Sequence, residues 1–295
     1  MTPTLVRQHR PPADSTPRVD RCARARDWSE IQERMLVPLY QAVYERLEVG
    51  PATRLLGLRC GSGLALLLAA SSGAAAVTGV DSSPERLALA RERLLPDTRH
   101  GVRGCRGARA RTAVKLVGGG PRDAGDAADA ETAAYTLVTV FEPVGCLAGD
   151  SEGLGEQLAA ALPQAARGAC VVLAGWGPPE RCATSSVLRV ATKLADPLRS
   201  AQSWRPARRD DLEEVAQRAG LKPDGSGRVA CPFGYAGLDS AVRGLLSTGL
   251  FDAAIAATDA KQVDKELTEA LHAHRREDGT VWMPNVFRYL MARVP

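Results

Sequence analysis

Residues 52–95 constrain the fold more than any other stretch. The apolar run Ala52 to Leu58 ends in the turn Arg59-Cys60-Gly61-Ser62-Gly63, and Leu64 to Ser72 continues as an apolar helical run. Ala75 to Asp81 then reads as a second buried strand. Ser82-Ser83-Pro84-Glu85 supplies a cap and a first-turn proline for a helix reaching Leu95. Two β-α units within about 45 residues imply a parallel sheet covered by helices.

The alternation resumes further along. Ala113 to Val117 suggests a short third strand, followed by an acidic, Gly-rich stretch expected to be an exposed loop. Residues 136–144 and 168–176 read as strands around a helix at 152–162, and helical patterns cover 185–198 and 208–221. Residues 235–275 read as a helical insertion able to act as a lid, and residues 281–294 as a last strand. The fold class expected is α/β, a doubly wound, mostly parallel seven-stranded sheet with a helical N-terminal arm and a helical lid. Residues 1–26 are polar and Arg-rich, a flexible arm, and residues 27–295 form one domain. At its start Ile31, Met35, Leu39, Val43 and Leu47 recur every four residues as an amphipathic stripe that Pro38 kinks or divides.

Hydrophobic residues make up 45% of the 295 and charged residues 24%, which excludes disordered and fibrous classes. No apolar stretch has the length of a membrane span, and the N-terminus lacks the apolar core of a signal peptide, so the reading places the chain in the cytoplasm. Seven scattered cysteines without a C-x-x-C pair argue against a disulfide framework or a zinc site, and no metal is expected. The net charge of +4 comes from 38 bases, nearly all Arg. One segment, Arg99 to Lys115, is basic without acids, but it lacks the interleaved aromatics that stack single strands, so nucleic acid is not an expected partner.

The chemistry concentrates at the glycine turn and Asp81. Glycines let a ligand approach the backbone, the next helix offers free N–H groups, and a carboxylate about 20 residues on accepts from ribose hydroxyls. That arrangement suits an adenosine-type ligand. Leu66 stands where a dinucleotide fingerprint needs its third glycine, and no Gly-Lys-Ser or Gly-Lys-Thr follows for a phosphate loop. S-adenosylmethionine is the common ligand that remains.

With RLLGLRCGSGLALLLAA, VTGVDSSPERLALARERL, GACVVLAGWGPPER and DGTVWMPNVFRYLMA, the chain resembles the class I S-adenosylmethionine-dependent methyltransferases. The likeness is to the UbiE-like, methyltransferase type 11 kind of actinobacterial type. It implies a Rossmann-like fold, S-adenosylmethionine as cofactor, and methyl transfer to a small, partly apolar acceptor; a homodimer is one assembly open to such a chain. It also implies that Gly57, Cys60, Gly61 and Gly63 line the methionine and adenosine path. Asp81 would then hold the ribose, Ser82 lie near the adenine, and Phe141 and Glu142 face the methyl group. Tyr40 and Trp176 are candidate pocket walls, and Glu142, His272 and His274 candidate bases. The family pattern D-x-G-x-G-x-G is broken by Gly57 and Arg59, and Gly118 to Gly120 stand where an adenine-contacting acid is often found. These departures motivate the alternative of an inactive methyltransferase-fold protein acting as a ligand-binding, scaffold or regulatory protein. A G-x-S-x-G match at Gly149 to Gly153 raises an α/β-hydrolase elbow, which needs its serine directly after a strand.

Overall fold

The computed structural model describes residues 20–95, 112–125, 134–145, 151, 153–195 and 211–295. Seven strands form the main sheet: β1 (Arg54–Leu58), β2 (Ala76–Asp81), β3 (Ala113–Gly118), β4 (Tyr135–Val144), β5 (Ala165–Trp176), β6 (Lys222–Ala230) and β9 (Val286–Arg293). Their order is β3-β2-β1-β4-β5-β9-β6. The pairs from β3 to β5 are parallel, while β9 runs antiparallel to both of its neighbours. The sequence reversal between β1 and β4 leaves a crevice beyond their carboxyl ends, the usual ligand position in open α/β sheets.

Apolar residues on both faces of the central strands explain why these segments are buried strands. On β1, Leu55 faces one core while Leu56 and Leu58 face the other, and β5 divides Val172 from Val171 and Leu173 in the same way. The helices α2 (Val37–Arg46), α3 (Leu64–Ser71) and α6 (Thr184–Ala195) cover one face. The other is covered by α5 (Leu154–Ala161) and α7 (Asp211–Arg218). Helix α4 (Pro84–Leu94) follows β2, with Ser83 accepting from Arg86 N–H as its cap.

Two details depart from the sequence reading. Helix α1 (Arg21–Asp27) is capped by Asp20, so ordered structure begins within the stretch expected to be a flexible arm; residues 1–19 lie outside the described part. The last strand is two: β8 (Val281–Met283) pairs with β7 (Phe233–Tyr235) in a separate small sheet, and Pro284-Asn285 separate it from β9. Between β7 and β8 lie α8 (Leu238–Ser247), α9 (Asp252–Ala257) and α10 (Ala260–Leu271).

The N-terminal helical path changes its winding between α1 and α2. Trp28–Gln32 form a π-helical turn and Glu33–Leu36 a 3-10 turn, and Pro38 lies in the first turn of α2. Wider and tighter turns in succession rotate the inward face, so Trp28, Ser29, Gln32 and Glu33 are buried while Ile31 and Met35 are only half-buried.

Candidate functional site

The turn after β1 is held in shape by Asp81. Gly61 and Gly63 have φ of 59° and 77°, left-handed values that glycine adopts without a Cβ clash. Asp81, at the end of β2 and only 6% exposed, accepts from Gly61 N–H through Oδ2 at 2.8 Å and from Ser83 N–H through Oδ1 at 2.8 Å. One carboxylate therefore fixes the loops after both strands, and each oxygen keeps a lone pair for a further donor.

Two cavities open beside this carboxylate. The wider, about 250 Å³, is lined by Val80, Asp81, Ser82, Gly119 and Pro121. The narrower, about 20 Å³, lies over the turn among Trp28, Glu33, Tyr40, Gly57, Gly61 and Phe141. Arg59, Arg86 and Glu142 line both. Glu142 Oε2 accepts from Arg59 Nη1 at 3.2 Å, its Oε1 lies 4.0 Å from Arg86 Nη1, and Arg59 Nε donates to Gln157 Oε1 at 3.0 Å. These side chains form a charged bridge where the two cavities meet.

The N-terminal segment roofs the narrower cavity with polar atoms. Glu33, 2% exposed, accepts from Arg93 Nη1 at 2.8 Å and from the Ser62 hydroxyl through Oε2. Arg93 also donates to Ser29 Oγ and to the Ser62 carbonyl, both at 2.8 Å, so this buried charge pair is hydrogen-bonded on several sides. Trp28 lies under the Arg86 guanidinium, 4.5 Å from its ring centre, and its Nε1 is buried without a partner.

No family model matches this sequence, and no curated protein matches it. Solved structures match it in fold. A protein from Anaeromyxobacter dehalogenans, provisionally assigned as a type II methyltransferase, superposes with a TM-score of 0.52 at 18% identity, over 86% of this chain and 96% of that one. YcgJ from Bacillus subtilis superposes with a TM-score of 0.51 at 14% identity, over 86% of this chain and 97% of that one. The fold is the Rossmann-like methyltransferase fold. At such identity the likeness is one of fold.

Within this methyltransferase fold the expected site residues separate into two groups. Gly57, Cys60, Gly61, Tyr40, Phe141 and Glu142 meet around the narrower cavity, and Asp81, Ser82 and Glu142 around the wider one. Gly63 lines neither: a Cβ there would approach that of Ala90 to 3.0 Å, so this glycine lets α3 settle against α4. Trp176, expected as a pocket wall, packs instead against Phe287 and Phe233, with centroids 4.6 and 5.9 Å away. His272 is exposed, and His274 lines an open groove with Ser186 and Arg189, so neither candidate base reaches the two cavities. Helices α8 to α10, expected as a lid, contribute no residue to either cavity; the cover is the segment Trp28 to Tyr40. Glu33 was not foreseen, because a stripe repeating every four residues puts it outside.

The remaining candidates resolve on local chemistry. Burial, with Asp81 and Glu33 nearby, pushes the Cys60 thiol far above its usual range, so it stays protonated beside the helix N-terminus. Burial and Glu33 do the same to the Tyr40 hydroxyl. After Gly118 to Gly120, where the resembled family often has an acid, the carboxylate of Asp123 accepts from Gly120 N–H at 2.9 Å. Strand β4 ends at Val144, ahead of Ser151 by more than a strand-to-helix elbow allows; the other residues of the G-x-S-x-G match, save Gly153, and most of the Arg-rich segment lie outside the described residues. Among the described residues no helix is long and apolar enough to cross a membrane.

Proposed function

We propose that the chain binds S-adenosylmethionine in the two joined cavities and transfers its methyl group to a small, partly apolar acceptor. The observation that carries this reading is Asp81: a buried carboxylate at the end of β2, pinned by Gly61 and Ser83 N–H, with oxygens beside the wider cavity. A ribose diol donates to such a carboxylate, and the wider cavity opens beside it.

Bound there, the cofactor supplies a methyl group on a sulfonium. The chain itself supplies position and dryness. Phe141 packs against Tyr40 and Tyr44, with centroids at 4.8 and 5.6 Å, and walls the narrower cavity with aromatic surface. Tyr40 is held protonated and takes no proton from the acceptor, while Glu142 is paired with Arg59 and lies 4.0 Å from Arg86. The acceptor atom this site suits is one nucleophilic without a protein base, such as an amine or a stabilised carbanion.

The test is a thermal melt with and without S-adenosylmethionine and S-adenosylhomocysteine. Ligand at about 100 times its dissociation constant adds about 2.7 kcal/mol of stability, a rise of several degrees at this size. Asp81→Asn should remove that rise, because it weakens the ribose acceptor and the ties to Gly61 and Ser83. Equal melting with and without millimolar ligand would overturn the reading.

A further inference from the structure

Arg86 lines both cavities, and its guanidinium makes no hydrogen bond among the described residues. The side chain is 19% exposed, and its ion pair among those residues is with Glu142 Oε1 at 4.0 Å, too long for a hydrogen bond. One face of its plane is stacked over the Trp28 ring at 4.5 Å, which leaves the N–H edge for acceptors. The position is also a poor one for a cation, in the first turn of α4, where the helix dipole favours anions. A largely desolvated guanidinium at the wrong end of a helix, with its donors turned to no acceptor, marks a place suited to an anion from outside the chain.

The charges around Arg86 select the anion. Arg59, Arg86 and Glu142 are the charged groups common to both cavities, two guanidiniums against one carboxylate. Glu142 Oε2 accepts from Arg59 Nη1 at 3.2 Å, and its Oε1 meets Arg86 only at ion-pair range. Of the other charged lining groups, Asp81 accepts from Gly61 and Ser83 N–H, and Glu33 is paired with Arg93. The junction therefore carries one positive charge in excess, to which a bound cofactor adds its sulfonium. A neutral acceptor gains nothing from this field, whereas a carboxylate balances it and matches the planar N–H edge of a guanidinium. A phosphate brings a second charge that Glu142 and Asp81 repel.

We infer that the methyl acceptor is a small organic acid whose carboxylate docks on the N–H edge of Arg86, with Arg59 adding positive charge at the same junction. The inference rests on the cofactor reading above and names the substrate class for that site. Arg86 is the anchor for the acid group and takes no part in the methyl transfer itself.

The test is a thermal melt of the full chain saturated with S-adenosylhomocysteine, at one ionic strength, with propionate, propionamide or inorganic phosphate added. Propionate should raise the midpoint, and propionamide, its uncharged counterpart, should not. Arg86→Met keeps an unbranched stem over Trp28. It should weaken propionate by about tenfold or more, read from the ligand dependence of the midpoint, while S-adenosylhomocysteine binds within about twofold of its wild-type affinity. Propionate and propionamide that act alike, or a propionate effect that survives Arg86→Met, overturn the inference. So does phosphate acting more strongly than propionate, which would assign the junction to phosphorylated acceptors. An Arg86→Met chain that loses S-adenosylhomocysteine overturns it too, by assigning Arg86 to the cofactor. In each of these cases the cofactor site stands. A wild-type chain that binds no S-adenosylhomocysteine overturns the cofactor reading and this inference with it.

Discussion

At Arg59 the backbone sits at φ 51°, a left-handed value that costs an L side chain about 1 kcal/mol or more, and its guanidinium lies at the junction of the two cavities. A cation there opposes a ligand that carries a sulfonium. Its pairing with Glu142 and Gln157 offsets part of that opposition and holds the side chain in place. Arg59→Gly removes the backbone strain and those bonds together, so stability should change by less than about 1 kcal/mol. The effect on ligands should depend on charge: S-adenosylmethionine should bind about tenfold more tightly, since Glu142 then faces the sulfonium without Arg59, while uncharged-sulfur S-adenosylhomocysteine should gain less. Titration of both ligands at one ionic strength checks this. An equal gain for both would mean that Arg59 acts by bulk alone.

The same turn depends on how closely α3 and β2 meet. A Cβ on Gly79 in β2 would lie 2.5 Å from Leu66 Cδ1, 2.8 Å from Cys60 Sγ and 2.9 Å from Leu116 Cδ2, so the bare backbone lets the turn and α3 settle on the strand. Gly79→Ala should destabilise the fold by about 1–3 kcal/mol, seen as a lower urea midpoint with an unchanged slope. An unshifted midpoint would mean that the turn yields freely. Apolar runs such as Ala75 to Asp81 made these elements legible in the sequence, because a strand buried on both faces needs little beyond such a run. Asp81 was legible through its spacing from the turn. Glu33 was not, because the π-helical turn at Trp28–Gln32 rotates the inward face away from the stripe of Ile31, Met35 and Leu39. The insertion was legible as helices, yet their apolar stripes carry no record of which neighbour they cover.

For α8 that neighbour is the segment covering the two cavities, which ties the insertion to the proposed ligand site. Helix α8 packs against α1 and the π-helical turn, while α9 and α10 pack on α6. Arg243 pairs with Asp27 at 2.7 Å, Arg24 with Asp252 at 2.8 Å, and the buried Tyr235 hydroxyl donates to Gln32 Oε1 at 3.0 Å. The two ion pairs are largely exposed and contribute little; the close packing at Gly244 sets the position. A Cβ there would lie 2.8 Å from Ile31 Cγ2 and 2.9 Å from Tyr235 Cε1. Gly244→Ala gains about 1 kcal/mol of helix propensity and loses about 1–3 kcal/mol to crowding, so the apo protein should melt only slightly lower. Its affinity for S-adenosylhomocysteine should fall by more than that stability change accounts for, because the displaced segment roofs the narrower cavity. Titration of Gly244→Ala with S-adenosylhomocysteine separates the outcomes. A loss beyond the stability change means that α8 sets the cover from outside both cavities, whereas unchanged affinity would mean that the cover keeps its place without the insertion.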